Sequence, residues 1–131
     1  MIIGCDTGFF LQLLIGNETA NLYWKKITEE RLSAIVSLLS MAELSVLSQK
    51  QHIDEHTLHT LQGAIQSTCT IDSFSTQETF HNCGIWSRDF GCSLTQAMIC
   101  HAFYKNGAST ILTTDPSFKG FSFLSSEVIL L

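Results

Sequence analysis

Three carboxylates in the sequence follow short apolar runs, either directly or within the first turn of the next helix: Asp6, Glu43 and Asp115. Carboxylate oxygens are the ligands that Mg²⁺ and Mn²⁺ prefer, and Mg²⁺ commonly uses one or two of them together with water. A divalent ion held in this way lowers the pKa of a bound water and neutralises charge that develops on a phosphate. If the fold gathers these residues, the chemistry open to them is metal-dependent catalysis with an activated water.

Apolar runs alternate with helix-forming segments, and this alternation predicts a parallel sheet with helices on both faces. Buried strands are predicted over residues 2–5, 32–39, 70–72, 109–113 and 127–131. Helices are predicted over residues 18–31, 53–67 and 93–106, and also after the first two strands. Asp6 and Thr7 are expected to begin the first of these, and Ser40 to cap the second with Glu43 at the capping-box position. Residues 75–92 are predicted as a short helix followed by a glycine-containing loop.

The three acids are predicted to lie at one edge of this sheet. Functional sites of parallel sheets lie beyond the carboxyl ends of the strands, and each acid follows such an end. A simpler explanation is also open, in which Asp6 and Glu43 only cap helices and Asp115 begins a turn with Pro116. Spacing alone does not choose between one cluster and three separate local roles.

Composition is typical of a globular chain with a substantial core. The 131 residues predict a single domain over 1–131, and 45% of them are hydrophobic against 15% charged. The net charge of −5 argues against broad affinity for nucleic acid, although acids around a bound cation also carry such a charge. Five cysteines without paired spacing, and no signal peptide, predict reduced thiols and a cytoplasmic location. No apolar run approaches the roughly 18 residues that span a bilayer, so no membrane partner is expected.

Three stretches of the chain resemble the PIN-domain family, and within it the small VapC-like toxins of toxin–antitoxin pairs. They are MIIGCDTGFFLQLL, SLLSMAEL and SLTQAMICHAFYKNGASTILTTDPSF, and with the elements between them they cover essentially the whole chain. The resemblance implies an α/β fold, a PIN-like α/β/α sandwich with a central, mainly parallel sheet. It also implies an Mg²⁺- or Mn²⁺-dependent endoribonuclease that acts on RNA, forms a homodimer and is blocked by an antitoxin protein.

The resemblance also assigns roles to individual residues. It gives the metal to the three acids and a supporting role to three hydroxyl residues beside them: Asp6, Glu43, Asp115, Thr7, Ser40 and Thr113. Gln96 stands where the family normally carries an aspartate, followed by the same pattern of small and apolar residues. The chain therefore departs from the family at a position that belongs to the site.

Gln96 leaves two functions open. Its amide oxygen can coordinate a metal or bind a metal-bound water, but it is a poorer ligand than a carboxylate. We therefore expect Asp6 and Asp115 to hold one metal, more weakly, with Glu43 positioning its water shell or a second, weaker ion, and a two-metal arrangement to be disfavoured. The chain is then either a ribonuclease weakened by Gln96, or a catalytically degenerate PIN domain that serves as an RNA- or antitoxin-binding module.

Other residues that could carry chemistry have simpler local explanations. Asp89 could replace the missing acid if its loop folded over the following helix, but a surface pair with Arg88 is the favoured interpretation. His52, His56 and His59 share a helical face without a zinc-binding motif, which favours a solvated face.

Aromatic and basic residues give weaker signals. Trp24 and Trp86 are candidates for a dimer or partner surface, because large aromatic side chains anchor interfaces. A nucleophilic pair of His81 and Cys83 stays open but has no supporting spacing. The lysines and arginines are few and dispersed, so contacts with RNA phosphates cannot be assigned to them individually.

Overall fold

The computed structural model describes residues 1–73, 77–124 and 127–131. Its strands form one sheet in which every pairing is parallel. In chain order the strands are β1 Ile2–Cys5, β2 Ser33–Ser37, β3 Thr70–Asp72, β4 Thr110–Thr113 and β5 Glu127–Leu130. Their order across the sheet is β3-β2-β1-β4-β5. The first strand is therefore central, with β4 beside it, so that the residues following β1 and β4 end side by side.

Helices connect the strands and cover the sheet. They are α1 Thr7–Leu14, α2 Glu18–Thr28, α3 Leu38–Gln49, α4 Glu55–Thr68, α5 Gln77–Phe90 and α6 Leu94–Lys105, with a 3-10 segment over Pro116–Leu124. Short polar side chains cap the helices that follow a strand or loop, as Asp6 caps α1 and Ser93 caps α6. In the described part of the chain, no helix is long and apolar enough to cross a membrane.

Alternating residues of each strand pack into different cores. Ile3 of β1 and Val36 of β2 lie in one cluster with residues of α1 to α4, whereas Ile35 and Ile111 lie in another with residues of α6 and the 3-10 segment. This period of two is what a strand buried on both faces requires. The predicted α/β fold, a sandwich around a central parallel sheet, is confirmed.

The start of α3 differs from the prediction. We expected Ser40 to cap this helix, but β2 ends at Ser37 and the Ser37 hydroxyl itself accepts a hydrogen bond from Leu39 N at 3.2 Å. Because the earlier serine supplies the cap, Ser40 lies inside the first turn of the helix, where it is fully buried. Glu43 is therefore in the second turn of α3 and does not take part in a capping box.

The interpretation of residues 75–92 was also wrong, in the part that the structure describes. Residues 75 and 76 lie outside the described residues, and from Gln77 to Phe90 the chain is one helix that includes Gly84. An added Cβ at Gly84 would meet nothing within 4 Å, so this glycine lies in an open position and costs the helix only about 1 kcal/mol relative to alanine. The residue that ends the helix is Gly91, which has a φ of +61°, a conformation that favours glycine.

Most other predicted elements are confirmed within three residues of their expected bounds. The largest difference of this kind is in α2, which ends at Thr28 instead of residue 31, and Glu30 just beyond it has a φ of +58°.

Candidate active site

A cleft of about 670 Å³ opens beside the carboxyl ends of β1 and β4. Five of the residues that the sequence singled out line this cleft: Asp6, Thr7, Glu43, Gln96 and Asp115. Two others, Ser40 and Thr113, are fully buried and do not line it. The structure therefore brings the three acids to one place, as the position of each after a strand indicated.

Asp6 is both a helix cap and a member of the cleft, so the two explanations offered for it hold together. One carboxylate oxygen accepts a hydrogen bond from Phe9 N at 3.0 Å, and the other accepts from the Thr113 hydroxyl. Burial raises the pKa of Asp6 from 3.8 to about 6, and the charges of Glu43 and Asp115 add to the rise. The hydrogen bonds from Thr113 and Phe9 oppose it. The folded chain therefore favours the protonated form of Asp6 more than the unfolded chain does.

Thr113 joins the ends of the two central strands. Its hydroxyl donates to Asp6 and accepts a hydrogen bond from Asp115 N at 2.9 Å. A single buried hydroxyl therefore fixes the spacing between the first and last acids. This is consistent with the supporting role that the resemblance implied.

Glu43 reaches the cleft from α3. Its Oε1 accepts a hydrogen bond from the Thr7 hydroxyl at 2.8 Å, across 36 residues of sequence. Thr7 begins α1, so this bond ties the first turn of α1 to α3 on one side of the cleft. Ser40 shows no comparable role, since no described residue forms a hydrogen bond with its buried hydroxyl.

Gly8 permits the close approach of α1 to the end of β4. A Cβ at this position would collide with the Thr114 hydroxyl oxygen, which lies against the first turn of α1. Thr114 also lines the cleft. A glycine directly after the residues that begin the helix is a weak sign of this contact in the sequence, and we did not predict the contact.

Asp115 lies in a different environment from Asp6. Its Oδ1 accepts a hydrogen bond from Ser117 N at 2.9 Å, and its Oδ2 accepts from the Gln96 amide nitrogen. Partial burial raises the pKa of Asp115, but the hydrogen bonds from Ser117 and Gln96 outweigh it and leave the pKa below 3.8. Asp115 is therefore held in its ionised form by neighbouring donors.

Both polar atoms of the Gln96 amide form hydrogen bonds within the protein. The oxygen accepts a hydrogen bond from Ser93 N at 3.0 Å, while the Ser93 hydroxyl accepts from Gln96 N at 3.1 Å, so the two residues form a capping box. The amide nitrogen faces Asp115 and also donates to the Ser117 hydroxyl at 2.9 Å. The group of Gln96 that contacts Asp115 is therefore the amide nitrogen, and coordination of a metal by the amide oxygen stays a prediction.

A full set of three metal ligands is not assembled. Across residues 1–73, 77–124 and 127–131, no group of three or more histidine, cysteine, aspartate or glutamate side chains could hold a metal ion. The three acids share a cleft, but Gln96 and Ser117 hold Asp115 and Thr7 holds Glu43. Since Mg²⁺ commonly uses only one or two carboxylates directly, the residues fit a small ligand set completed by water.

The cleft also has apolar lining from α1 and α3. The residues concerned are Leu11, Leu39, Ala42, Val46 and Leu47. The cleft therefore offers carboxylates and hydrogen-bonding groups beside a hydrophobic surface, an arrangement suited to a ligand with both charged and flat apolar parts.

Residues outside the cleft follow the simpler explanations. Asp89 pairs with the adjacent Arg88 at 2.8 Å on the surface and does not replace an acid of the cleft. The three histidines at positions 52, 56 and 59 are exposed. Trp24 packs edge-on against Phe10 with ring centres 6.1 Å apart, and Trp86 packs against His101 at 5.1 Å. Both tryptophans remain partly exposed, so their assignment to an interface stays a prediction.

No protein-family model matches the sequence, and no curated protein matches it either. Solved structures do match the fold over nearly the whole chain. VapC20 from Mycobacterium tuberculosis, a sarcin-ricin loop cleaving toxin, is 15% identical with a TM-score of 0.73, and the match covers 95% of this chain and 98% of that one. A toxin–antitoxin complex from Klebsiella pneumoniae is 20% identical with a TM-score of 0.68, covering 97% and 95%.

VapBC-1 from nontypeable Haemophilus influenzae is 14% identical with a TM-score of 0.69, and the match covers 99% of this chain and 98% of that one. At such identities the likeness establishes the fold and leaves activity open. The chain has the PIN-like fold of VapC-type proteins, as the resemblance of its three sequence stretches implied.

Proposed function

We propose that this chain is a metal-dependent endoribonuclease and the toxin of a VapBC-like toxin–antitoxin pair. The observation that carries the proposal is the convergence of Asp6, Glu43 and Asp115 on one cleft in a VapC-type fold. Burial raises the pKa of Asp6, and the charges of Glu43 and Asp115 raise it further, so a bound cation would stabilise the ionised form of this carboxyl.

Asp6 and Glu43 are the residues that would hold Mg²⁺ or Mn²⁺. The charge of Glu43 raises the pKa of Asp6 more than the charge of Asp115 does. The oxygens of Glu43 receive a hydrogen bond from Thr7, and those of Asp6 receive hydrogen bonds from Thr113 and Phe9, so both carboxylates are oriented in advance. A bound divalent ion would supply an activated water and stabilise charge on the phosphate. Asp115 would support the site from the other side of Thr113.

RNA is the proposed substrate class. A nucleotide carries a phosphate, which a cation at the acids would attract, and a flat base, which the apolar residues of α1 and α3 would accept. VapC20, which matches the fold, is described as cleaving the sarcin-ricin loop. A structured or single-stranded RNA is therefore the first substrate to examine.

The proposed partners are an antitoxin protein and a second copy of the chain. Two of the fold matches are a toxin–antitoxin complex and VapBC-1, and an antitoxin that covers the cleft would block hydrolysis. All five cysteines are free, which fits the reducing conditions of the cytoplasm. We place the protein there and infer a homodimer, as the resemblance implies.

A catalytically degenerate PIN domain is the second candidate. It is favoured by one observation: the position at which the family carries a further acid is taken by Gln96, whose amide nitrogen is bonded to Asp115. In that case the cleft would bind RNA or an antitoxin without hydrolysing RNA.

An RNA-cleavage assay separates the two candidates. The purified chain would be incubated with RNA in Mn²⁺, Mg²⁺ or chelator, together with Asp6→Asn and a control, Asp89→Asn, that removes a surface carboxylate paired with Arg88. The ribonuclease proposal predicts cleavage that requires metal, persists in Asp89→Asn and is lost in Asp6→Asn. If the wild-type chain is inert with both metals but binds RNA or an antitoxin, the degenerate form is the correct description.

A further inference from the structure

We infer that Gln96 is a positioning residue that takes the place of a cation on Asp115, so that the cleft holds a single divalent ion at Asp6 and Glu43. This inference rests on the proposed metal-dependent function and specifies how many ions its site takes. It follows from the hydrogen bonds of Gln96 and from the different partners of the three acids.

Both ends of the Gln96 side chain are occupied by fixed partners. The oxygen accepts from Ser93 N, and the nitrogen uses its two hydrogens on Asp115 Oδ2 and Ser117 Oγ. An amide nitrogen has only two hydrogens to donate, so its donor capacity is fully used. The side chain is therefore part of a closed network around Asp115.

The orientation of the amide is set by this network. If the amide group were turned over, its nitrogen would face the Ser93 N–H, donor against donor, and its oxygen would face Asp115 Oδ2, acceptor against acceptor. Both contacts would become repulsive and the capping box of α6 would be lost. If the Gln96 oxygen turned toward a metal ion, the hydrogen bond from Ser93 N that caps α6 would be lost.

Asp115 has donors on both of its oxygens. Ser117 N occupies Oδ1 and the Gln96 amide occupies Oδ2. A cation that approached Oδ2 would meet the positive end of the amide dipole at the position it needs. The Gln96 amide therefore occupies the side of Oδ2 at which a metal ion would bind.

Asp6 also has a donor on each oxygen, Phe9 N on one and the Thr113 hydroxyl on the other, whereas Glu43 has a donor on Oε1 alone. Among the residues that the structure describes, no lysine, arginine or histidine forms an ion pair with either of them. Among the described residues, Glu43 Oε2 is the one oxygen of the three carboxylates that accepts no hydrogen bond. A divalent ion that binds this oxygen and the Asp6 carboxylate in the same cleft displaces fewer existing contacts than one that binds Asp115.

Two substitutions separate the donor of Gln96 from its cap. Gln96→Glu keeps the length of the side chain and keeps an oxygen that accepts from Ser93 N, but it places a carboxylate against Asp115. Ser93→Ala removes the hydroxyl half of the capping box and leaves the amide donor to Asp115 in place. Gln96→Asp, which is shorter and also lacks a donor, provides a second test of the same change.

The experiment is a calorimetric titration of the full chain and these variants with Mn²⁺, without RNA. We expect one Mn²⁺ for the wild type and for Ser93→Ala, with similar affinities. We expect Gln96→Glu and Gln96→Asp to bind a second Mn²⁺, or to bind Mn²⁺ about tenfold more tightly. Adding Asp115→Asn to Gln96→Glu should remove this gain. Thermal unfolding gives an independent readout, since Mn²⁺ should raise the Tm of Gln96→Glu more than that of the wild type.

Two results would overturn the inference, and they point to different causes. If the wild type binds one ion and Gln96→Glu behaves identically, or if the wild type already binds two, the role of Gln96 is wrong while a metal-dependent site remains. If no variant binds Mn²⁺, the metal-dependent function fails together with the inference. Because the titration contains no RNA, an inert cleavage assay does not affect its outcome.

Discussion

The two sides of the cleft carry the same chemical group in opposite circumstances. Asp6 is buried, faces other acids and has a pKa raised to about 6, whereas hydrogen bonds from Ser117 and Gln96 lower the pKa of Asp115. The Thr113 hydroxyl connects the Asp6 carboxylate to the backbone N–H of Asp115. The comparison teaches that a cluster of acids does not define a metal site by itself. We call the Asp115 side of the cleft compensated, because hydrogen bonds lower the pKa of its carboxyl. We call the opposite side, with Asp6 and Glu43, uncompensated, because burial and neighbouring charges raise the pKa of Asp6.

The largest expected effect is on catalysis, through the uncompensated side. Asp6→Asn and Glu43→Gln each remove a charge that would hold the ion, and we expect RNA cleavage to fall by a factor on the order of 100 or more. Asp115→Asn, on the compensated side, should cost less. The measurement is the rate of cleavage at saturating Mn²⁺. Equal losses for Asp6→Asn and Asp115→Asn would remove the distinction between the two sides.

The next effect is on stability as a function of pH in chelator-treated protein. Because the pKa of Asp6 is about 6 in the folded chain and 3.8 in the unfolded chain, the folded state holds the extra proton between these values. The free energy of unfolding contributed by Asp6 is then greatest below pH 3.8 and declines as pH rises to about 6, by about 3 kcal/mol in total.

Asp6→Asn should lack this decline and should be more stable than the wild type at neutral pH. Urea unfolding at a series of pH values measures it. A neutral-pH stability of Asp6→Asn equal to or below that of the wild type would mean that the Asp6 carboxylate is not costly in the fold.

The connection between the two sides is tested by Thr113→Val. This nearly isosteric change removes the hydroxyl that donates to Asp6 and accepts from Asp115 N, both in buried surroundings, and should lower the free energy of unfolding by about 1–3 kcal/mol. Thr110→Val is the matched control, since Thr110 is a buried threonine of the same strand whose hydroxyl has one hydrogen-bond partner among the described residues, the Met1 sulfur at 3.9 Å. Equal effects of the two substitutions would show that the Thr113 bridge contributes nothing specific.

The smallest effect concerns the outer part of the compensated side. Ser117→Ala removes an exposed hydroxyl that accepts from the Gln96 amide and helps to lower the pKa of Asp115, but it keeps the backbone N–H that binds Asp115. We expect a loss of only about 0.5 kcal/mol in the free energy of unfolding, measured by urea denaturation. A loss as large as that of Thr113→Val would indicate that Asp115 depends on Ser117 more than on Gln96.

Much of the fold was predictable because its signals are local. Short apolar runs marked the strands, and Asp6 and Ser93 marked helix starts. The errors arose where two residues offered the same signal. Ser37 and Ser40 are both plausible caps, and the choice depends on where β2 stops pairing with its neighbours. Gly84 and Gly91 are both plausible helix ends, and only Gly91 has the conformation that ends the helix.

The site was predictable in its location but not in its hydrogen bonds. The carboxyl-edge rule brought the acids together, and the spacing of Ser93 and Gln96 is that of a capping box and could have been recognised in the sequence. The contact of Gln96 with Asp115 spans 19 residues and depends on how α6 packs beside the end of β4. Such a contact depends on tertiary structure and cannot be predicted from a local sequence pattern.

The difference between Asp6 and Asp115 can be measured directly by titrating their side-chain carboxyls with carbon-detected NMR, with and without saturating Mg²⁺. We predict that the pKa of Asp6 is about 6 in chelator-treated protein and falls when Mg²⁺ binds, while the pKa of Asp115 stays below 3.8 in both conditions. A normal pKa for Asp6, or a larger response to Mg²⁺ at Asp115 than at Asp6, would contradict the division of the cleft into an uncompensated and a compensated side.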